Sequence, residues 1–83
     1  MFTIKVISEE TGSPIKDAKV GIIFDGFFGR VTQDIYTDLN GEAHFDYNNG
    51  NGKVYVTAPW GFFSTSECLF EGFIKGRIVV YLK

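Results

Sequence analysis

Apolar and polar residues alternate along most of this chain, and glycine-bearing turns interrupt the alternation at short intervals. Phe2, Ile4 and Val6 alternate with polar neighbours, and the same two-residue period returns in segments 43–47 and 54–58. Successive side chains on an extended strand point to opposite faces, so this period predicts strands with one buried face. No stretch of ten or more residues carries apolar residues at helical spacing. The pattern therefore predicts an all-β fold.

Turn residues divide the chain into about seven predicted strands. Asn40-Gly41 is the clearest hairpin signal, because both residue types tolerate the positive φ of tight turns. Further reversals are predicted at 9–14, 48–52 and 71–72, and Gly21 predicts a bulge or a close backbone approach within a strand. Strands at this spacing predict a two-sheet antiparallel β-sandwich. The predicted strands are 2–6, 18–24, 31–37, 42–47, 54–58, 64–70 and 74–82.

Length and composition indicate one domain covering residues 1–83. A chain of 83 residues has room for one core, and a domain of this size buries a smaller fraction of the surface of its unfolded chain than a larger domain does. Hydrophobic residues make up 45% and aromatic residues 17% of the chain, so large buried rings can compensate for the small core.

Charge and cysteine content limit the classes of binding partner and the cellular compartment that we expect for this chain. The formal net charge is −2 and the eight basic residues are scattered, so we expect neither nucleic-acid nor membrane binding. The single cysteine, Cys68, excludes an intramolecular disulfide, and the N-terminus lacks the apolar core of a signal peptide. These features predict a cytoplasmic protein, with export by a route without a cleaved signal as the alternative.

Three segments, in order, resemble one family of sandwiches. Residues 11–20, TGSPIKDAKV, resemble the G-x-P-I/L-x-x-A-x-V opening of carboxypeptidase regulatory-like and transthyretin-like (prealbumin-like) domains. Residues 37–45, TDLNGEAHF, are similar to their T-D-x-x-G-x-F hairpin. Residues 52–62, GKVYVTAPWGF, are similar to their G-x-Y-x-V-x-A-x-G-Y/F strand and turn, although Val54 stands where the family usually has Tyr. The resemblance implies a Greek-key sandwich that serves as an interaction, spacing or stabilising module.

Enzymatic function is not predicted. The 5-hydroxyisourate hydrolases, which share the transthyretin-like fold, rely on several His and Arg residues and a C-terminal Tyr-Arg-Gly-Ser motif, whereas this chain has one His and ends in Tyr81-Leu82-Lys83. Segment 38–49 superficially resembles a calcium loop, but Asn49 occupies the closing position that requires an acid. Cys68 is predicted to be a half-buried structural thiol. We expect no catalytic residue, metal or cofactor.

His44 is the one histidine, and it carries the main rival hypothesis. Glu42, His44 and Asp46 share a predicted strand face, and such a row suits a divalent metal or acid–base chemistry. Asp34 and Asp38 are candidates for further donors. Alternation alone also places these residues on the polar face opposite Phe45, where solvated side chains are expected. We favour the solvated face, and a small metal-dependent enzyme is the alternative.

Two aromatic loops, residues 26–30 and 59–63, provide the candidate binding site. Loops lie at the surface, and adjacent residues on an extended chain point in opposite directions, so at least one ring of each Phe-Phe pair should leave the core. Such rings suit a protein partner or a second copy of the chain, or they close the ends of the sandwich. Carbohydrate binding, helped by Asn48, Asn49 and Asn51, is an alternative. The candidate binding residues are Phe27, Phe28, Arg30, Trp60, Phe62 and Phe63.

Overall fold

The structure is a computed structural model, and it describes residues 1–26, 29–60 and 65–83. Regular structure in these residues consists of β-strands, which confirms the all-β prediction. Within the same residues, no helix is long and apolar enough to cross a membrane. The eight strands are β1 (Phe2–Ser8), β2 (Lys19–Phe24), β3 (Arg30–Val31), β4 (Ile35–Tyr36), β5 (Glu42–Phe45), β6 (Gly50–Thr57), β7 (Glu67–Ile74) and β8 (Gly76–Leu82).

The strands form two packed sheets, as predicted for a sandwich. Sheet A has the order β5-β1-β8, and sheet B has the order β3-β2-β6-β7, with β4 also paired to β2. The prediction of wholly antiparallel sheets is wrong at one place, because β8 runs parallel to β1. The reason is that β8 does not form a hairpin with β7. The chain leaves β7 in sheet B and enters β8 in sheet A through Lys75 and Gly76, which has a φ of 61°.

One hydrophobic core lies between the sheets, and it follows the alternation of the sequence. The ring of Phe2 in sheet A stacks on Phe45 at a centroid distance of 5.3 Å and meets the edge of Phe24 in sheet B at 6.1 Å. Aromatic contacts of this kind stabilise a core beyond the area they bury. The buried apolar residues are Phe2, Ile4, Val6, Ile15, Ala18, Val20, Ile22, Phe24, Ala43, Phe45, Val54, Val56, Ile74, Val80 and Leu82.

Segment 31–37, predicted as one strand, forms two short strands instead. Thr32 and Thr37 are buried and use their hydroxyls as substitutes for backbone groups. The Thr32 hydroxyl accepts the Ile22 N–H at 3.1 Å, and the Thr37 hydroxyl accepts the Ala18 N–H at 2.9 Å. Side chains that bond the backbone in this way replace backbone hydrogen bonds between strands. The segment therefore pairs with β2 in two separate short strands, β3 and β4.

Between β3 and β4 the chain passes over Gly21. A Cβ at position 21 would lie 2.8 Å from Oδ1 of Asp34, so a side chain there would displace the carboxylate. The predicted close approach at Gly21 is therefore real, but the approaching group is a side chain rather than another backbone.

Two predicted turns are also corrected. Gly72, predicted to be in a turn, lies within β7 and pairs with Gly52 of β6, and the strand continues to Ile74. Strand β6 already begins at Gly50, so the predicted 48–52 turn extends too far. Glycine tolerates strand geometry as well as turn geometry. At these glycines, pairing between β6 and β7 favours the strand.

The Asp38–Gly41 turn forms as predicted but connects the two sheets. It follows β4 of sheet B and precedes β5 of sheet A. The Gly41 N–H donates to the Asp38 carbonyl at 2.9 Å, and Gly41 has a φ of 74°. The Val6 N–H of β1 donates to the Gly41 carbonyl at 2.7 Å. A Cβ at Gly41 would lie 2.6 Å from the Val6 carbonyl oxygen, so glycine is required here for space as well as for φ.

The steric part of this requirement can be measured with two matched variants. Gly12 has the same φ of 74°, but a Cβ there would meet nothing within 4 Å. Gly12→Ala should lower the free energy of unfolding by about 1 kcal/mol, the usual cost of a left-handed conformation. Gly41→Ala should lower it by about 3 kcal/mol or more, because the clash with β1 is added. Urea unfolding of both variants measures the difference, and equal losses would contradict the close packing at Gly41.

Candidate functional site

Of the candidate binding residues, Arg30 and Trp60 are described by the structure, and Phe27, Phe28, Phe62 and Phe63 lie outside the described residues. Arg30 is exposed at the start of β3, with its guanidinium carbon 6.0 Å from the centroid of the Phe24 ring. Trp60 follows β6 and is 52% exposed. Arg30 and Trp60 are thus both at the surface, and the exposure of the Phe-Phe pairs stays a prediction.

The two aromatic loops leave sheet B at opposite ends. Strand β2 runs from Lys19 to Phe24, and the first loop follows Phe24. Strand β6 is antiparallel to β2, so Thr57, which precedes the second loop, pairs with Lys19. Six residues of extended strand separate the two ends by about 17 Å. Arg30 and Trp60 therefore belong to two separate surfaces rather than to one patch.

A groove lies at the Trp60 end of sheet B. It has a volume of ≈ 470 Å³, and we call it the Tyr36 groove after its most prominent side chain. Tyr36, Lys19 and Thr57 face each other across three neighbouring strands, since Lys19 pairs with both of the others. Directly opposite residues share one face of a sheet, so these side chains form a row. The groove is lined by Asp17, Lys19, Tyr36, Thr57, Ala58 and Pro59.

The Tyr36 groove combines an aromatic ring with groups of both charges. Tyr36 is 62% exposed, and Trp60 is close to the groove in sequence because it follows Pro59. The Thr57 hydroxyl lies 2.8 Å from the Ser66 hydroxyl, which ties β6 to the segment that precedes β7. Tyr36 is not among the residues predicted from sequence to form a binding site. Alternation could have predicted its exposure. Ile35 packs against the core, so the next residue, Tyr36, points to the other face of the strand.

The opposite end of sheet B carries the Arg30 surface. A smaller cavity of ≈ 180 Å³ there is lined by Phe24, Arg30, Val31, Thr32 and Tyr47. Asn51 lies at this end as well, because its neighbour Gly52 pairs with Phe24, and the Asp25 N–H donates to the Asn51 carbonyl at 2.9 Å. The asparagines proposed to assist carbohydrate binding therefore lie away from the Tyr36 groove.

The predicted Glu42-His44-Asp46 row is only partly assembled. Glu42 and His44 share the outer face of β5, but the strand ends at Phe45, before Asp46. Asp38, from the turn before β5, lies close to both instead. From sequence, Asp38 is only a candidate for a further donor. Asp38 lies four residues before Glu42, on the other side of the Asn-Gly turn. This spacing could have predicted that the two carboxylates lie close together.

Cys68 is exposed, so the predicted half-buried thiol is wrong. The cause is a β-bulge between β6 and β7. Phe70 pairs with Val54 but Cys68 pairs with Tyr55, so Leu69 is the extra residue. A bulge changes which side chains face the core, and alternation read from sequence cannot foresee it.

Comparisons with protein-family models, with curated proteins and with solved structures gave no match. The resemblance to transthyretin-like domains stays a prediction, and function has to be argued from this chain's own surfaces.

Exposure of Cys68 has a direct chemical consequence. A thiol reagent such as DTNB should label the native protein completely and quickly, at a rate within about tenfold of that in urea, because access does not require unfolding. Absorbance of the released thionitrobenzoate measures the rate, and the Cys68→Ser variant gives the blank. Labelling that proceeds only as fast as the protein unfolds would contradict the bulge at Leu69.

Proposed function

We propose that this protein is a non-catalytic binding module that engages a protein partner, or a second copy of itself, through the Tyr36 groove and Trp60. The observation that supports the proposal is the exposure of two large aromatic side chains, Tyr36 and Trp60, at one end of sheet B. Tryptophan and tyrosine are enriched among the residues that dominate the energy of protein interfaces. Burial of rings by a partner gives a large favourable free energy for little loss of side-chain freedom.

The groups around the rings suit a peptide segment. Lys19 and Asp17 place opposite charges within one groove, and Thr57 adds a hydroxyl. Charged groups at the border of an apolar contact favour the correct partner over others and fix its orientation. Arg30 belongs to the other end of the sheet, so in this proposal it takes no part in the same contact.

Carbohydrate binding is the second candidate, and the same groove favours it. Sugar rings stack on exposed aromatic faces while carboxylate and hydroxyl groups bond their hydroxyls, and Tyr36, Asp17 and Thr57 offer these groups. In this version the groove residues replace the asparagines of the sequence-based hypothesis. A screen of immobilised glycans distinguishes the candidates, because a protein-binding module should give no sugar-dependent signal.

Alanine substitutions at the groove test the proposal. Trp60→Ala and Tyr36→Ala should each weaken binding by about 30-fold, corresponding to about 2 kcal/mol for an interface hot spot. Tyr81→Ala is the matched control, because Tyr81 is an aromatic residue with 58% exposure on sheet A. Sedimentation equilibrium measures self-association, and affinity capture with quantitative mass spectrometry measures binding to a partner.

The proposal is supported if both groove variants lose self-association or a captured partner while Tyr81→Ala retains it. A protein that stays monomeric, and whose captured partners are unaffected by either groove substitution, would contradict it.

A further inference from the structure

Three potential metal ligands converge on the outer face of sheet A, on the other sheet from the row that forms the Tyr36 groove. Asp38 lies in the turn that enters β5, Glu42 is the first residue of that strand, and His44 follows on the same face. One ligand atom from each residue lies within 4.8 Å of the others. His44 Nε2 is 3.8 Å from Asp38 Oδ2 and 4.0 Å from Glu42 Oε1.

Each of the three side chains is held by its other polar atom. Asp38 Oδ1 accepts the N–H groups of Asn40 and Glu42 at 2.9 and 3.0 Å. Glu42 Oε2 forms an ion pair with Arg77 Nη2 at 2.7 Å. His44 Nδ1 lies 2.8 Å from the hydroxyl of Thr3. The atoms that remain, Oδ2, Oε1 and Nε2, are those that face one another.

These outer bonds match what a metal-binding histidine and carboxylate require. If Nδ1 carries the proton and donates to Thr3, the lone pair of Nε2 points toward the two carboxylates. Histidines that ligate metals usually donate their second N–H to a neighbouring oxygen, which fixes both the tautomer and the ring orientation. The backbone hydrogen bond from the Glu42 N–H lowers the pKa of the Asp38 carboxyl below its ordinary value.

We propose that Asp38, Glu42 and His44 bind a divalent transition-metal ion of the zinc class on sheet A. In a tetrahedral zinc site with bonds of 2.0–2.2 Å, ligand atoms are about 3.4 Å apart. The separations of 3.8 and 4.0 Å need to close by about half an ångström. The side chains of His44 and Asp38 are 62% and 48% exposed, so both have room for that movement.

The donor set also indicates the class of ion. One imidazole and two carboxylates suit zinc and its neighbours in the first transition series, whereas calcium takes six to eight oxygen ligands. Three protein ligands leave the fourth position for water or for an atom of a partner. Glu42 is the least exposed ligand, at 15%, and its bond to Arg77 reduces the negative charge of the site. We therefore expect reversible binding rather than a permanently filled structural centre.

The inference does not depend on the binding function proposed above, because the two surfaces lie on different sheets. A bound ion would join the turn after β4 to strand β5, which directly follows it. Ligands that bind only the folded state raise its stability in proportion to their occupancy.

Zinc titration of untagged, EDTA-treated protein tests the proposal. Cys68→Ser serves as the background, because the exposed thiol on sheet B would otherwise compete for the metal. Calorimetry should show one zinc ion per chain, and zinc should raise the thermal midpoint. NMR should show the largest shifts at the His44 ring. His44→Ala and Glu42→Gln should each weaken binding at least about tenfold.

Asp46→Asn is the matched control, because it removes an exposed acidic group just beyond β5 without touching the three ligands. It should leave the zinc affinity within about twofold of the background, since Asp46 is not part of the cluster. Circular dichroism confirms that each variant is folded. Absence of binding up to millimolar zinc, or binding that persists unchanged in folded His44→Ala, would overturn the site.

Discussion

The backbone of Val6 is the point on which the two sheets depend. Its N–H donates to the Gly41 carbonyl at 2.7 Å, and its carbonyl accepts the Ile15 N–H at 3.0 Å. Val6 is fully buried and also pairs with Val80 of β8. One residue of the central strand of sheet A thus binds both connections to sheet B: the turn between β4 and β5, and the segment between β1 and β2. Buried backbone groups are costly to leave unpaired, so these bonds fix where the chain crosses between sheets.

Both proposed surfaces follow from this crossing. The turn that ends at Gly41 carries Asp38, and the strand that begins after it carries Glu42 and His44. The segment before the turn contains Thr37, whose buried hydroxyl donates to the Ile15 carbonyl at 2.6 Å and holds β4 beside β2. Tyr36 is its neighbour, so the groove on sheet B and the cluster on sheet A are positioned by the two ends of one short connection.

The separation of these surfaces has a functional consequence. The groove is formed by β2, β4 and β6. The cluster is formed by β5 and the turn before it, with supporting contacts from β1 and β8. A partner on one sheet and a metal on the other need not compete for the same atoms. The chain connects the two surfaces directly, because Thr37 alone separates Tyr36 of the groove from Asp38 of the cluster.

Local chemistry made part of this structure predictable from sequence. Alternation identified the faces of β1 and β2, and the Asn40-Gly41 signal located the turn, because both depend on residues close in the chain. Sequence could not show that this turn joins two sheets, since the choice of partner strand is set by the whole core. The same limit explains Gly72, which pairs within β7, and Cys68, which a bulge turns outward. Asp38 and His44 are six positions apart, and their contact depends on the turn between them.

Native-state hydrogen exchange of the Val6 amide tests the central role of this residue most directly. If Val6 holds the crossing between the sheets, its N–H should exchange only when the whole domain unfolds, as slowly as the most protected amides of β6. The free energy of its opening should then equal that of global unfolding measured in urea. Exchange of Val6 through a local opening, while the amides of β6 remain protected, would show that the sheets stay together without this contact.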